Sequence, residues 1–266
     1  MSPAATLVEA LGPLRSEPDR AAILLDIDGT LAPIVRHAGD AHVPEATRTV
    51  LIEVSRRYKV VGCISGRRAA TARQIVAIGT IAYVGNHGGE LLRPGSTRPE
   101  VDPELEAWAG RVQAFAAKAN STERQRLRVR GEDKGAIAAF HWRGAPDEEA
   151  AEQAVRELAA EAEREGLAVH WGRKVLEVRP PVAFDKGLGI AALVRGEEVA
   201  TAMYVGDDTT DLDAFRGLRG LAEEGELETA LCVAVASDEA PPELAQEADL
   251  TVDGPGGVRG LLEALL

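Results

Sequence analysis

Residues 21 to 31 constrain the fold more than any other stretch. Ala21 and Ala22 lead into Ile23-Leu24-Leu25, and the run closes with Asp26-Ile27-Asp28-Gly29-Thr30-Leu31. A short, continuous apolar run ended by a turn signal is the pattern of a strand buried on both faces, as in the middle of a parallel sheet. Alternation along an extended chain would point Asp26 and Asp28 the same way. Gly29 allows the backbone to turn sharply at the carboxyl end of that strand. In open α/β sheets this end is where ligands bind. Two carboxylates there repel each other and are costly to desolvate. A divalent cation such as Mg2+, which takes oxygen ligands, relieves both problems. Solvated aspartates on a surface turn would sit oddly after five aliphatic residues.

The same rhythm recurs. Residues 45 to 57 read as a helix with Val50, Leu51 and Val54 on one face. The strand Val60-Val61-Gly62-Cys63-Ile64 ends in Ser65-Gly66-Arg67, and a helix is expected from Ala69 to Val76. Ile81-Ala82-Tyr83-Val84 is a third strand, ending in Gly85-Asn86-His87-Gly88-Gly89-Glu90. Later, Lys186 to Val194 reads as a helix and Thr201 to Val205 as a strand ending in Gly206-Asp207-Asp208-Thr209-Thr210-Asp211. Leu231 to Val235 is a last strand, and residues 255 to 266 a closing helix. Strands alternating with helices predict an α/β fold with a doubly wound, Rossmann-like parallel sheet. Leu7, Leu11 and Leu14 predict one amphipathic helix over residues 3 to 15.

Between these outer parts the texture changes. Pro94, Gly95, Pro99 and Pro103 mark a hinge-like stretch. A helix is expected from Pro103 to Ala119, then an antiparallel pair at Leu127 to Arg130 and Ala136 to Trp142. A strongly charged helix covers Asp147 to Glu165, with strands at Leu167 to Trp171 and Lys174 to Arg179. This order predicts a smaller α+β domain over residues 101 to 183, inserted into a core of residues 1 to 100 and 184 to 266.

A formal net charge of -13 over 266 residues argues against nucleic acid or an anionic membrane as partner. A small anionic substrate needs only a local cluster of cations or a metal. Cys63 and Cys232 lie in apolar runs without metal or redox spacing and read as buried hydrophobes. With no membrane-length apolar run and no basic leader, the expected location is cytoplasmic.

The strand ends converge on one crevice. There one carboxylate can attack phosphorus and a second, two residues on, can move the proton. Ser65 and Lys186 fit by type as holders of phosphoryl oxygens. Lys186 would sit at a helix amino terminus, where a cation opposes the macrodipole, which favours a functional reason for it. His87 ends a strand in the crevice. His37, His42 and His170 carry no assigned role, and Trp108 and Trp171 read as core of the inserted domain.

Taken in order, Asp26-x-Asp28-Gly29-Thr30, Ser65-Gly66-Arg67, Lys186-Gly187 and Gly206-Asp207-Asp208-x-x-Asp211 resemble the four motifs of haloacid dehalogenase superfamily phosphatases. The resemblance implies Asp26 as nucleophile, Asp28 as general acid/base, and Ser65 and Lys186 on the phosphoryl group. It implies Mg2+ bound by Asp26, the backbone carbonyl of Asp28 and Asp207, with Asp211 or Asp208 close by.

Finer segments are similar to trehalose 6-phosphate phosphatases. They are residues 85 to 90, Glu132-Asp133-Lys134-Gly135, His141-Trp142-Arg143, Gly172 to Pro180 and Gly206 to Phe215. In that family such an insert is a mobile cap that reads sugar hydroxyls. The similarity implies Lys134, Arg143, Lys174, Glu177 and Arg179 near the sugar, Gly66 and Arg67 by the substrate, and His87 and Glu90 at the core rim. It also implies a place in trehalose biosynthesis and a functional link to a trehalose-phosphate synthase; a monomer acting on a small sugar phosphate is expected. One departure is Leu212, where the family usually shows an acidic residue. Phosphatases for sucrose- or mannosylglycerate-type phosphates, a phosphohexomutase, and a silent sugar-phosphate sensor are the competing readings.

Overall fold

The computed structural model describes residues 3–35, 38–238 and 240–266. His37 lies outside the described residues. The chain divides into two compact units, Met1–Glu100 with Phe184–Leu266, and Val101–Ala183.

The strands in chain order are β1 Ala21–Leu25, β2 Val60–Ile64, β3 Ala82–Gly85, β4 Glu90–Leu92, β5 Glu100–Val101, β6 Arg130–Asp133, β7 Ala138–His141, β8 Ala168–Gly172, β9 Val175–Arg179, β10 Thr201–Gly206, β11 Thr229–Ala236 and β12 Leu250–Asp253. In the first unit they form an eight-stranded sheet ordered β12-β11-β10-β1-β2-β3-β4-β5. From β12 to β3 every pairing is parallel, and β4 runs antiparallel to β3. β1 is central, with Leu25 opposite Val205 of β10 and Cys63 of β2.

All five residues of β1 are fully buried because both faces of the sheet are covered. Ile23 and Leu25 pack with Leu51, Val54, Val76 and Leu261 from helices Glu45–Arg57, Ala69–Val76 and Gly254–Ala264. Ala22 and Leu24 face the other way, toward Ile190, Leu193, Phe215 and Leu218 of helices Lys186–Val194 and Asp211–Glu223. Truncating a buried residue such as Ile23 to alanine costs about 2–5 kcal/mol. This doubly wound arrangement is the expected α/β class.

The second unit is a four-stranded antiparallel sheet ordered β6-β7-β9-β8. Ala138, Phe140, Leu176 and Val178 pack against Val112, Phe115, Val155 and Leu158 of helices Pro103–Ala119 and Glu148–Arg164. Alternation sends Ala139, Glu177 and His170, which are in register, to the opposite face. Each helix begins on an aspartate cap: Asp102 accepts from Glu104 N at 2.8 Å and Asp147 from Ala150 N at 2.9 Å.

Several local expectations are corrected. The amino-terminal helix is two pieces, Pro3–Ala10 and Gly12–Ser16, because Pro13 cannot donate within a continuous helix. The strand expected at Leu127 to Arg130 begins only at Arg130. Arg128 adopts φ +60°, which ends a short helix Thr122–Arg126, and the hairpin turn moves to Lys134–Ile137. Trp171 is 40% exposed, and Trp142, at the end of the expected strand Ala136 to Trp142, fills the core beside it, their rings edge to face with centroids 6.0 Å apart. Trp108 is only partly buried, under the guanidinium of Arg111. β4, β5, β12 and the helices Asp211–Glu223 and Pro242–Glu247 were not assigned from sequence. Among the described residues, no helix is long and apolar enough to cross a membrane.

Candidate active site

The first unit gathers charge where β1 and β10 end side by side. Asp26 follows β1 directly, and its backbone N–H donates to Val205 O at 2.8 Å, continuing the ladder. Asp207 follows β10 in the same way. Lys186 opens the helix Lys186–Val194, which is capped by Asp185 accepting from Leu188 N at 2.8 Å.

Lys186 Nζ donates to Asp26 Oδ1 at 2.7 Å and to Asp211 Oδ1 at 2.6 Å. All three side chains are nearly or fully buried. Burial pushes the Asp26 carboxyl well above the usual range; the Lys186 ammonium opposes this, and Asp211 and Asp207 add to it. Burial alone would pull the Lys186 ammonium down, but Asp211 and Asp26 outweigh it and hold it above its ordinary value, so it stays charged. Among the described residues, Asp26 Oδ2 accepts no hydrogen bond, in contrast to Oδ1.

One oxygen each from Asp26, Asp207 and Asp211 lie within 4.8 Å of one another. An all-carboxylate set with one ammonium carries excess negative charge, and hard oxygen donors suit Mg2+. Gly29, at φ +88°, makes room for the Asp207 carboxylate, which a side chain there would meet at 2.2 Å. Thr30 Oγ1 donates to Asp207 Oδ1 at 3.2 Å.

Asp211 is committed differently from Asp26 and Asp207. Its Oδ1 accepts from Lys186 and from the Tyr204 hydroxyl at 2.6 Å. Its Oδ2 accepts the backbone N–H groups of Asp207 at 2.8 Å and Asp208 at 2.7 Å. Four donors fill the four lone-pair directions of a carboxylate. Asp211 therefore ties the β10 turn to Lys186. Thr30 closes the Asp26-x-Asp28-Gly29-Thr30 motif, but the sequence gives it no role; for Tyr204 the only signal is a phenol inside a strand of mostly apolar residues. Burial, then Asp211 and Asp26, push the Tyr204 hydroxyl well above its usual value and keep it a donor.

Ser65 follows β2 and is 2% exposed, with its N–H on Val84 O and its Oγ accepting from Arg67 N at 3.2 Å. His87 lies at φ +55° with its ring close to Gly66, where a Cβ would stand 2.5 Å from the imidazole. Only glycine leaves that room. Arg67 grips the side chain of Asp28. Glu90 is 4% exposed; one oxygen accepts from Ala69 N at 2.9 Å, at the start of helix Ala69–Val76, and the other from Asn86 Nδ2 at 3.0 Å, in the turn after β3. The Asp208 carboxylate turns back to the N–H of Thr209.

In the second unit the expected sugar-side residues fall into two networks. Glu177 is buried and accepts from Lys134 Nζ at 2.8 Å and from Arg179 Nε at 2.9 Å. Lys174 instead pairs with Glu148 at 2.5 Å on an open surface, and Arg143 Nη2 donates to Arg173 O at 3.3 Å. The Lys174 ammonium and the Gly144 N–H hold the Glu148 carboxyl below its usual range.

Comparison with known proteins agrees with this geometry. The model of the trehalose-phosphatase family matches residues 24–254. An uncharacterized glycosyl hydrolase of Mycobacterium tuberculosis is 34% identical over 211 residues, 75% of this chain and 15% of that protein. A trehalose-phosphate phosphatase of Mycobacterium marinum is 33% identical over 235 residues, 82% of this chain and 58% of that one. This chain thus spans less than two thirds of the length of either curated relative. The C-terminal domain of a Candida albicans trehalose-6-phosphate phosphatase superposes with a TM-score of 0.76 at 23% identity, covering 100% of this chain and 97% of that one.

Proposed function

Because this chain belongs to the trehalose-phosphatase family, we propose that it hydrolyses trehalose 6-phosphate to trehalose and phosphate, with Mg2+, through an aspartyl phosphate on Asp26. The observation that carries the reading is Asp26 between Lys186 and Asp207, with Oδ2 unbonded at the end of the central strand. Asp26 and Asp207 would hold the metal together with the Asp28 backbone carbonyl, and Asp211 and Asp208 support it from behind. Bound there, Mg2+ supplies positive charge against the phosphoryl oxygens.

The protein's own groups divide the remaining work. Asp26 Oδ2 attacks phosphorus, and the bond to the sugar oxygen breaks. Asp28 gives its proton to that oxygen. Ser65 and Lys186 hold the spread negative charge, the largest stabilising term available to phosphoryl transfer. Asp28 then takes a proton from water as the water attacks phosphorus, which frees Asp26 and releases phosphate.

Residues 101 to 183 are read as the cap that selects the sugar. The buried Lys134–Glu177–Arg179 group supports this, since such a cluster presents both donors and acceptors to hydroxyls; Arg143 and Lys174 would contribute from the second network. The substrate would come from a trehalose-phosphate synthase. A cytoplasmic monomer is the simplest setting, consistent with two free, buried cysteines.

Phosphate release from trehalose 6-phosphate, with Mg2+ and after chelation, tests the proposal. Turnover that needs the metal and exceeds that on glucose 6-phosphate and sucrose phosphate is expected. Equal rates on all three would refute the sugar assignment, and full activity of Asp26→Asn would refute the nucleophile.

A further inference from the structure

Arg67 follows the phosphate-side residues Ser65 and Gly66, a position that suggests contact with substrate. Its side chain is occupied elsewhere. Nε donates to Asp28 Oδ2 at 2.6 Å and Nη2 to Asp28 Oδ1 at 2.7 Å. The pair is a planar, bidentate fork between the ends of β1 and β2. The Arg67 side chain is 16% exposed and that of Asp28 36%.

The fork is anchored from behind. Arg67 O accepts the N–H of Asn86 at 2.8 Å, and Ser65 O accepts that of His87 at 3.0 Å. The turn after β3 thus fixes the backbone from which the guanidinium reaches. Asp28, by contrast, leads straight into the glycine turn at Gly29 and would otherwise be free to rotate. A bidentate guanidinium removes that rotation, because each nitrogen fixes one oxygen. Each oxygen keeps one further lone pair, open toward a leaving oxygen or a water.

We propose that Arg67 is a positioning residue for the proton step: it holds Asp28 in the orientation that serves the leaving oxygen and the attacking water, and does not bind the phosphoryl group. The proposal rests on the phosphatase reading above. It also sets Arg67 apart from Ser65 and Lys186, whose removal weakens the hold on phosphate itself.

The test compares Arg67→Met and Arg67→Lys in the wild-type and Asp28→Asn backgrounds, with Mg2+ present. Turnover is measured on trehalose 6-phosphate, or on whichever alkyl phosphate the wild type prefers, and on p-nitrophenyl phosphate. Affinity for inorganic phosphate is measured by calorimetry, and circular dichroism checks the fold. Arg67→Met is expected to lower kcat on the alkyl ester about 100-fold, the size of a lost general acid–base contribution. KM and phosphate affinity stay within about threefold. The first-turnover burst on p-nitrophenyl phosphate is largely kept, since that leaving group departs without a proton. In the Asp28→Asn background Arg67→Met adds about twofold or less, because the residue it acts through is gone. Arg67→Lys, a single-point donor, recovers part of kcat. Losses that multiply in the double variant, or phosphate affinity falling more than about tenfold with kcat unchanged, would overturn the proposal and return Arg67 to the substrate. A wild type that releases phosphate from no ester refutes the phosphatase reading, and this proposal with it.

Discussion

Asp211→Asn distinguishes two roles for a carboxylate that looks from its spacing like a metal ligand. In the structure its oxygens accept four hydrogen bonds, from Lys186, Tyr204 and the N–H groups of Asp207 and Asp208. Asparagine offers one oxygen. Its amide nitrogen must therefore face either Lys186 and Tyr204, or the two backbone donors. Two hydrogen bonds to a charged acceptor are lost, at about 1.5–3 kcal/mol each. Easing repulsion from Asp26 and Asp207 returns part of that. The net loss without metal is about 2–4 kcal/mol, or roughly 4–16 °C in melting temperature for a chain of this size. Circular dichroism is the right readout, because Trp108, Trp142 and Trp171 all lie in the second unit and their fluorescence would report on it alone. If metal-free Asp211→Asn is as stable as the wild type, or more so, and loses only Mg2+ affinity, Asp211 is a ligand and the argument from its filled lone pairs is wrong.

Three further outcomes follow from the geometry. Gly66→Ala drives a methyl to 2.5 Å from the His87 ring, so it should lower activity while the sheet stays folded, and His87→Ala in the same chain should restore part of the loss; no rescue would refute the contact as the cause. Glu177→Ala removes a buried carboxylate from Lys134 and Arg179 and should destabilise the second unit by about 3–5 kcal/mol, whereas Lys174→Ala, which breaks an exposed pair, should cost under about 1 kcal/mol by tryptophan fluorescence in urea; equal costs would refute the distinction. Burial pushes the Cys232 thiol up to about 12 and raises Cys63 as well. The unfolded thiols lose their protons first, so stability should be intact below about pH 8.5 and fall above it by about 1.4 kcal/mol per pH unit and thiol. The double variant Cys63→Ala, Cys232→Ala should lose less on the same rise, and an identical slope would refute the assignment.

Much of the core was legible because burial on both faces leaves a plain record. β1, β2 and β10 are apolar runs closed by polar residues, and their ends carry the site. Edge strands lack that record: β12 alternates half-buried and exposed residues, and β5 has only two residues. The second unit misled at Leu127 to Arg130, where hydrophobic alternation suggested a strand but the positive φ of Arg128 breaks it. Residue identities in the site were readable, whereas the directions of their lone pairs were not. Spacing placed Asp211 near Asp207 without showing its four donors. Arg67 and Asp28 lie 39 residues apart, and only the two turns that carry them show that one holds the other. Glu90 and Lys174 matched in type, yet their partners, the N–H of Ala69 and the carboxylate of Glu148, come from folding and not from local pattern.

The position of β10 has a consequence for synthesis. β1 needs β2 on one side and β10 on the other, and more than a hundred residues separate β1 from the segment that supplies β10. On the ribosome, β1 to β3 emerge first with the β10 side of β1 unpaired. The second unit, made from one uninterrupted segment, emerges next and can complete itself before the first is whole. Open strand edges invite pairing with other chains, so a stall between residues 100 and 200 exposes the nascent protein most to aggregation. Closing the central sheet is a long-range step, and it is also the step that brings Lys186 and Asp207 to Asp26. The chain therefore gathers this charged cluster only after residues far along the sequence have been made.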